Sequence, residues 1–324
     1  MVTQAPDSKY GDKAPANPKN QGERLDLCAG YDPKLVEAYW DANAGEHATF
    51  FLAGQTDPPP DSVRLWKIWQ EVGEGGVNPD LTPQPTGNCV AAAADDVIEL
   101  LQLCEIHAGE AERYRPIYNP YHYATGRVLI GKNRLRGGAG SIGGWQAKAI
   151  EQYGVVYLRD GLPDYNKRNV DNWGDDRKAA GQSFRDYMEE GAEHCCGATS
   201  RLDSIGHLFE ALGSMHPITI ASNRGYTMKP GRDGFHRASG SWSHQMSIWG
   251  YGKKGPKTWV AIKNQWGNVH GKVLDPETGE PWPPGFICVH LDEFESKHFR
   301  GAETIAFSRF YGYPQQAYDH SQWA

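Results

Sequence analysis

The sequence predicts an α+β protein in which helices dominate the first half of the chain and strands the second. Apolar residues recur at steps of three and four from residue 89 onward, which indicates an amphipathic helix. Runs of β-branched and aromatic residues cluster beyond residue 217 and indicate strands. Such segregation is typical of α+β folds with an antiparallel sheet.

Composition places the chain among globular proteins and excludes several functions. Hydrophobic residues make up 39% of the 324 residues and aromatic residues 11%, which is enough apolar surface for one large domain or two small ones. The 33 Lys and Arg residues against 40 Asp and Glu residues give a net charge of −7, so no general nucleic-acid binding is expected. No run approaches the roughly 20 apolar residues of a membrane span, so no membrane partner is expected either.

The cysteines and the first residues bear on the compartment. If one of the six cysteines is reserved for chemistry, five remain, and an odd number cannot all pair within one chain. This favours a reducing environment. Residues 1–19 lack the apolar core of a secretory signal, so we expect a location in the cytoplasm or within a particle.

The first 76 residues are predicted to form an N-terminal extension. Residues 1–24 have the composition of an arm that orders only against a partner. A short helix is predicted around Leu35 and Trp40, and a second from Val63, after a proline-rich break at 56–62. A glycine-rich stretch at 73–76 then ends this extension, and the main domain is predicted over 77–324. The extension would serve as a propeptide-like segment or dock an assembly partner.

The main domain is predicted to start with the helix that carries Cys89 in its first turn. Asn88 stands where an N-cap belongs. Further helices are predicted over residues 145–153 and 205–212, the first of them closed by Gly154. Strands are predicted over 155–158, 217–221, 245–251, 258–263 and 285–290.

Cys89 has the surroundings of a nucleophile if His244 lies beside it. The free N–H groups and the dipole of a helix N-terminus favour a thiolate, and an imidazole completes an ion pair. Asn264 follows a strand predicted to pair antiparallel with that of His244, where its carbonyl oxygen would fix the tautomer of the ring. Gln84 would supply a side-chain amide to an oxyanion hole together with the N–H of Cys89.

In the order of these motifs, the chain resembles the papain-like cysteine peptidases over roughly residues 82–289. The matching segments are Gln84 to Cys89, Gly143-Gly144-Trp145, Ser243-His244-Gln245-Met246 and Lys263-Asn264-Gln265-Trp266-Gly267. The resemblance implies a two-lobed fold. A helical left lobe would carry Cys89, and a β-rich right lobe would carry His244 and Asn264.

The resemblance also implies roles for residues around the triad. Gly143 and Gly144 would bind the main chain of a peptide substrate, and Trp266 would shield the Asn–His hydrogen bond from water. No cofactor and no metal would be required. The implied reaction is hydrolysis of peptide bonds through a Cys-His-Asn triad and a thioester intermediate.

The chain departs from the family pattern close to the site. Val90 follows the cysteine where the family has Trp, and Gln84 lies one residue nearer to the cysteine than the family's Gln does. Thr86 replaces a disulfide-bonded cysteine, and His270 replaces a second Trp. Residues 1–76 show no match to the helical inhibitory propeptide of the family.

These departures keep two other functions open. One is a catalytically idle papain-like domain with a structural or binding role in a large assembly such as a virus particle. The other is an amidase or transferase that uses the same triad.

Two further motifs suggest different sites, and both are disfavoured. Residues 138–143 match G-x-G-x-x-G, but the polar, basic stretch 132–136 separates them from the buried strand that a dinucleotide site requires. Residues 194–196 with His207 could be read as metal ligands, yet adjacent cysteines rarely both ligate one zinc ion. We therefore expect loops at both places.

Overall fold

The computed structural model describes residues 9–10, 24, 28–44, 48–49, 58–72, 80–109 and 113–310. The helices in this part of the chain are α1 (Pro33–Ala42), α2 (Trp66–Val72), α3 (Cys89–His107), α4 (Asn119–Ala124), α5 (Gly143–Tyr153), α6 (Lys167–Gly174), α7 (Met188–Ala192), α8 (Ile205–Gly213) and α9 (Leu291–Phe294). Wider helical turns extend α4 over Thr125–Ile130 and α9 over Glu295–Phe299, and a short 3₁₀ turn covers Phe184–Tyr187.

One mixed sheet contains all the strands of the described residues. They are β1 (Ala48–Thr49), β2 (Ser62–Arg64), β3 (Cys196–Arg201), β4 (Ile218–Ser222), β5 (His244–Gly252), β6 (Trp259–Lys263), β7 (Phe286–His290) and β8 (Glu303–Phe310). Their order is β1-β3-β8-β4-β5-β6-β7, and β2 pairs with the end of β5. Only the short contact between β1 and β3 is parallel among these pairs. The α+β prediction with helices first and an antiparallel sheet second is confirmed.

Helix α3 is the central helix of the fold. Seventeen of its 19 residues, from Cys89 to Glu105, are buried, because the helix packs on β5 and β8 on one side and on α4 and α5 on the other. Asn88 precedes it but makes no capping hydrogen bond to the helix. Its Nδ2 instead bonds Asn119 Oδ1 at 2.6 Å and the Tyr165 hydroxyl at 3.0 Å. The N–H groups of Cys89 and Val90 are therefore not capped by this side chain and can face the Cys89 sulfur.

Two apolar clusters correspond to the two lobes. The larger one lies on the sheet and includes Trp66, Trp249 and Trp259. The second joins α3 to α1 and α5 and includes Trp40 and Trp145. The sheet lobe carries β5 and β6 and the helical lobe carries α3, so the boundary between them brings together the three predicted triad positions.

The structure corrects two predicted elements. Val63 does not begin a helix; it lies in β2, which pairs with Tyr251 of β5, and α2 begins only at Trp66. Val63 and Leu65 are buried in the larger cluster, which contributes about 1.5–3 kcal/mol for each side chain. The predicted strand at 155–158 is only an isolated bridge from Tyr157 to Ile117.

The predicted extension is described only in part. Most of the arm at 1–24 and the glycine-rich boundary at 73–76 lie outside the described residues. The described stretch 62–72 shares a core with the sheet through β2 and α2. Among the described residues, no helix is long and apolar enough to cross a membrane.

Candidate active site

Cys89 is the first residue of α3 and is completely buried. Burial raises the pKa of its thiol, and the N–H groups of Gln245, Ala29 and Val90 that face the sulfur act in the opposite direction. Gln245 directly follows His244 on β5. The sulfur of Cys89 therefore lies against the strand that carries the predicted base.

His244 and Asn264 are joined by a buried hydrogen bond. His244 opens β5, Asn264 follows β6, and antiparallel pairing of these strands brings His244 Nε2 within 2.8 Å of Asn264 Oδ1. Because an amide oxygen only accepts, Nε2 carries the proton and Nδ1 keeps a lone pair. This Nδ1 is buried and has no hydrogen-bond partner in the described part of the chain. Burial lowers the pKa of His244 to about 4, against the opposing effect of Asn264, so the ring is neutral at pH 7.

Trp266 covers this histidine. Its ring stacks on that of His244 with centroids 4.7 Å apart and planes at 29°, and it is completely buried. A hydrogen bond kept from water in this way does not compete with solvent for its donor and acceptor. The sequence predicts a shielding role for Trp266, and this stacking is the contact that such a role requires.

Asp96 ties α3 to the residues on both sides of Asn264. Its carboxylate accepts hydrogen bonds from Lys263 Nζ at 2.5 Å, from Gln265 Nε2 at 2.6 Å and from Ser247 Oγ at 3.0 Å. The ion pair with Lys263 is buried. Because α3 also carries Cys89, this cluster sets the position of the cysteine relative to the histidine and asparagine. Asp96 gives no signal of this role in the sequence, since an acidic residue on a helix usually lies on a solvated face.

Gln84 lies beside Cys89 in the loop before α3 and is buried. Its Nε2 donates to the carbonyl oxygen of Thr86 at 2.8 Å, and its backbone N–H donates to Gln265 at 3.0 Å. The side-chain amide that was predicted to hold an oxyanion is thus engaged within its own loop through one of its two N–H groups.

Gly143 and Gly144 face the interior. Their N–H groups donate to the two carboxylate oxygens of Glu303, at 2.8 and 2.9 Å, at the start of α5. The sequence predicts that Gly143 and Gly144 bind a substrate in the cleft, but these N–H groups are turned away from it. The N–H of Ser141, two residues earlier, takes that place, because it donates to the carbonyl oxygen of Ala29 at 3.1 Å.

The chain's own residues 28–31 lie across the cleft. The Gly30 N–H donates to the carbonyl oxygen of Ser243 at 2.8 Å, and the Tyr31 N–H donates to Ser243 Oγ at 3.1 Å. A Cβ added at Gly30 would overlap the sulfur of Cys89 and lie 3.0 Å from the N of Gln245. This segment covers the cysteine directly, so the site is closed by the N-terminal part of the same chain.

Three side chains hold the surrounding extension in place. Trp40 on α1 donates its indole N–H to Glu303 at 2.8 Å. Lys9 Nζ lies 2.9 Å from Glu99 and 3.4 Å from Asp95, both buried on α3. Tyr10 stacks on Tyr165 with centroids 4.1 Å apart. Residues on both sides of segment 28–31 are thus packed against the main domain.

The side chains of residues 194–196 make contacts of another kind. Within the described residues, no group of His, Cys, Asp and Glu could hold a metal ion. Cys196 bonds carbonyl oxygens of β3 and β8, and the ring of His194 packs against Tyr157. All six cysteines are free thiols in the structure.

The helical lobe, the sheet lobe and the residues that meet between them define the class: the chain has the fold of the papain-like cysteine proteases. No family model and no curated protein matches the sequence.

Several solved structures of cysteine proteases are similar to this chain. The chain is similar to xylellain, a cysteine protease from Xylella fastidiosa, with 15% identity, a TM-score of 0.50 and coverage of 95% of this chain and 98% of that one. It is also similar to procathepsin B S9 from Trypanosoma congolense, with 14% identity, a TM-score of 0.55 and 92% of each chain covered. Digestive procathepsin L 3 from the Tenebrio molitor larval midgut has 14% identity, a TM-score of 0.55 and coverage of 91% and 82%.

Proposed function

We propose that the protein is a cysteine peptidase whose cleft is closed by its own residues 28–31. The observation that carries this proposal is the convergence of a helix-terminal cysteine with a buried His244–Asn264 pair across the boundary between the lobes. A neutral imidazole with its Nδ1 lone pair free is the form that accepts a thiol proton. The fold supports the same reading, since the structures it matches include cysteine proteases.

The reaction requires that the segment first leaves the cleft. Nδ1 of His244 then takes the proton of Cys89, and the thiolate attacks the carbonyl carbon of a peptide bond. The N–H of Cys89 would stabilise the oxyanion, together with the Gln84 amide to which the sequence assigns this role. His244 returns its proton to the leaving amine, a thioester remains on Cys89, and water deprotonated by His244 hydrolyses it.

The closed state explains why the thiol pKa is raised. Cys89 is buried beneath Gly30, and burial disfavours the charged thiolate. When the segment leaves, water and the imidazole both reach the sulfur and favour the thiolate. We therefore expect a thiol of low reactivity in the closed chain and of high reactivity in the opened chain.

A direct test is turnover of a fluorogenic peptide library after limited proteolysis of the full chain. Wild type and Cys195→Ala should turn over the same peptides, because Cys195 donates only to the backbone oxygen of Ala192. Cys89→Ala and His244→Ala should both lose turnover. If Cys89→Ala retained it, the peptidase proposal would be wrong.

A second candidate is a papain-like domain that acts as a binding or structural protein. The complete burial of Cys89 under the chain's own segment favours it. Under this alternative the opened wild type shows no turnover of peptides, esters or amides, and Cys89 reacts with iodoacetamide no faster than in denatured protein. Turnover of esters or small amides without peptide cleavage would instead indicate an amidase or transferase.

A further inference from the structure

The side-chain amide of Asn264 is hydrogen bonded at both ends. Its Oδ1 lies 2.8 Å from His244 Nε2, and its Nδ2 lies 2.8 Å from Nε2 of His270. All three side chains are buried, with 1% or less of their surface exposed. They form a chain from the predicted base to a second histidine that the triad does not include.

The hydrogen bonds set the proton positions along this chain. The amide Nδ2 only donates, so His270 Nε2 must accept with a lone pair and its ring proton lies on Nδ1. His236 fixes the backbone at this point. Its Nδ1 accepts from the Cys288 N–H at 3.2 Å, which leaves its Nε2–H to donate to the carbonyl oxygen of His270 at 3.2 Å.

The orientation of the Asn264 amide decides the tautomer of His244. With the oxygen toward His244, the ring carries its proton on Nε2 and its Nδ1 is a base. With the amide turned over, Nδ2 would face His244 and force the proton onto Nδ1. A ring in that tautomer cannot take a proton from a cysteine on its Nδ1 side.

We propose that His270 is a positioning residue which, by accepting from Asn264 Nδ2, holds the amide oxygen toward His244 and keeps the base in its Nε2–H tautomer. This rests on the proposed peptidase function. The hydrogen bond of its Nε2 goes to Asn264, so it acts on His244 through the Asn264 amide.

The surroundings keep His270 neutral, as this role requires. Burial lowers its pKa well below the ordinary value, and the neighbouring His236, Arg24 and His244 act in the same direction. The rings of Trp242 and Trp266 complete its surroundings without adding charge. A protonated His270 would donate from Nε2 and favour the reversed amide.

The test compares His270→Leu, which removes the acceptor, with His270→Gln, whose Oε1 restores one at a similar reach. Both are made in the full chain with Cys89→Ser, which prevents self-cleavage. Histidine ring ¹⁵N shifts report each tautomer, and His244→Gln identifies the His244 signals among those of the 12 histidines. We expect the Nε2–H form of His244 in the parent and in His270→Gln. In His270→Leu the ratio of the Nε2–H to the Nδ1–H tautomer of His244 should fall by roughly two- to tenfold. This is the change in an equilibrium that the loss of one neutral hydrogen bond causes.

The same substitutions in the Cys89 enzyme separate positioning from folding. We expect kcat in His270→Leu to fall by a similar factor with KM unchanged, and His270→Gln to regain most of it. The proposal would be overturned if the tautomer ratio of His244 were unchanged in His270→Leu. It would also be overturned if folded His270→Gln lost as much kcat as His270→Leu. The NMR measurement does not depend on turnover. An inactive wild type would therefore count against the peptidase function, while the tautomer ratio of His244 would still test the role of His270.

Discussion

The carboxylate of Asp96 and the ammonium group of Lys263 form a buried ion pair with 2.5 Å between Oδ1 and Nζ. Asp96 lies two turns after Cys89 on α3, and Lys263 is the residue before Asn264. The pair therefore joins the helix that begins with Cys89 to the strand that directly precedes Asn264.

We predict that Asp96→Asn lowers the free energy of unfolding by about 3 kcal/mol, because it leaves Lys263 buried without an opposite charge. Turnover by the opened enzyme should fall as well, since α3 and β6 lose their shared anchor. Urea unfolding and peptide turnover measure the two effects. Asp203→Asn serves as the matched control, because Asp203 is exposed. Equal stability of the two variants would contradict this prediction.

Gly30→Ala should open the cleft. The added Cβ would overlap the Cys89 sulfur, and overpacking of this kind costs about 1–3 kcal/mol. The closed state then becomes roughly 5 to 160 times less favourable, and Cys89 should react faster with iodoacetamide at pH 7.

The matched control for this change is Gly206→Ala, where the nearest atom to the new Cβ is Ser204 Oγ at 3.6 Å. Its labelling rate should equal that of wild type. If Gly30→Ala labelled no faster than this control, residues 28–31 would not be what closes the site.

Acid should weaken the attachment of Lys9. Burial raises the pKa of both Asp95 and Glu99 to about 7, while Lys9 acts to lower it. The docked lysine therefore favours ionised carboxylates, and fewer protons are bound with Lys9 in place than without it. By linkage, its contribution is full above the higher pKa that these carboxyls would have without Lys9, and it is lost as the pH falls through about 7.

Lys9→Met should accordingly lower the free energy of unfolding by about 3 kcal/mol at pH 8, since two buried carboxylates lose their partner. The difference from wild type should shrink at pH 5, where the carboxylates are protonated. Lys34→Met, a change at an exposed lysine, should have no such pH-dependent effect. A difference that grew toward acid pH would show that the ion pair is not responsible.

The residues of the proposed triad could be picked out from the sequence because their signals are local. Cys89 stands at a recognisable helix start, and His244 and Asn264 stand at the ends of apolar runs. Asp96 and His270 could not be predicted, because their roles depend on partners that only the folded chain brings near. Lys263 is 167 positions from Asp96.

Val63 illustrates the same limit for the fold. Its spacing relative to Trp66 and Trp69 favours a helix, but pairing with β5 makes it a strand. A three-residue strand has too little propensity of its own to be read from the sequence, and it forms only where a long partner strand is already present. The partner of the Gly143 and Gly144 N–H groups could not be predicted for a related reason, because Glu303 accepts from both and lies far along the chain.

Segment 28–31 and the cysteine it covers belong to one polypeptide. Closure is therefore an intramolecular equilibrium, in which the local concentration of the blocking strand at the cleft is on the order of millimolar. Diluting the protein leaves this concentration unchanged, whereas a free peptide or substrate must compete against it. Only a cut in the connection, or a weakening of the contacts at either end of the segment, turns the blocker into a dissociable ligand.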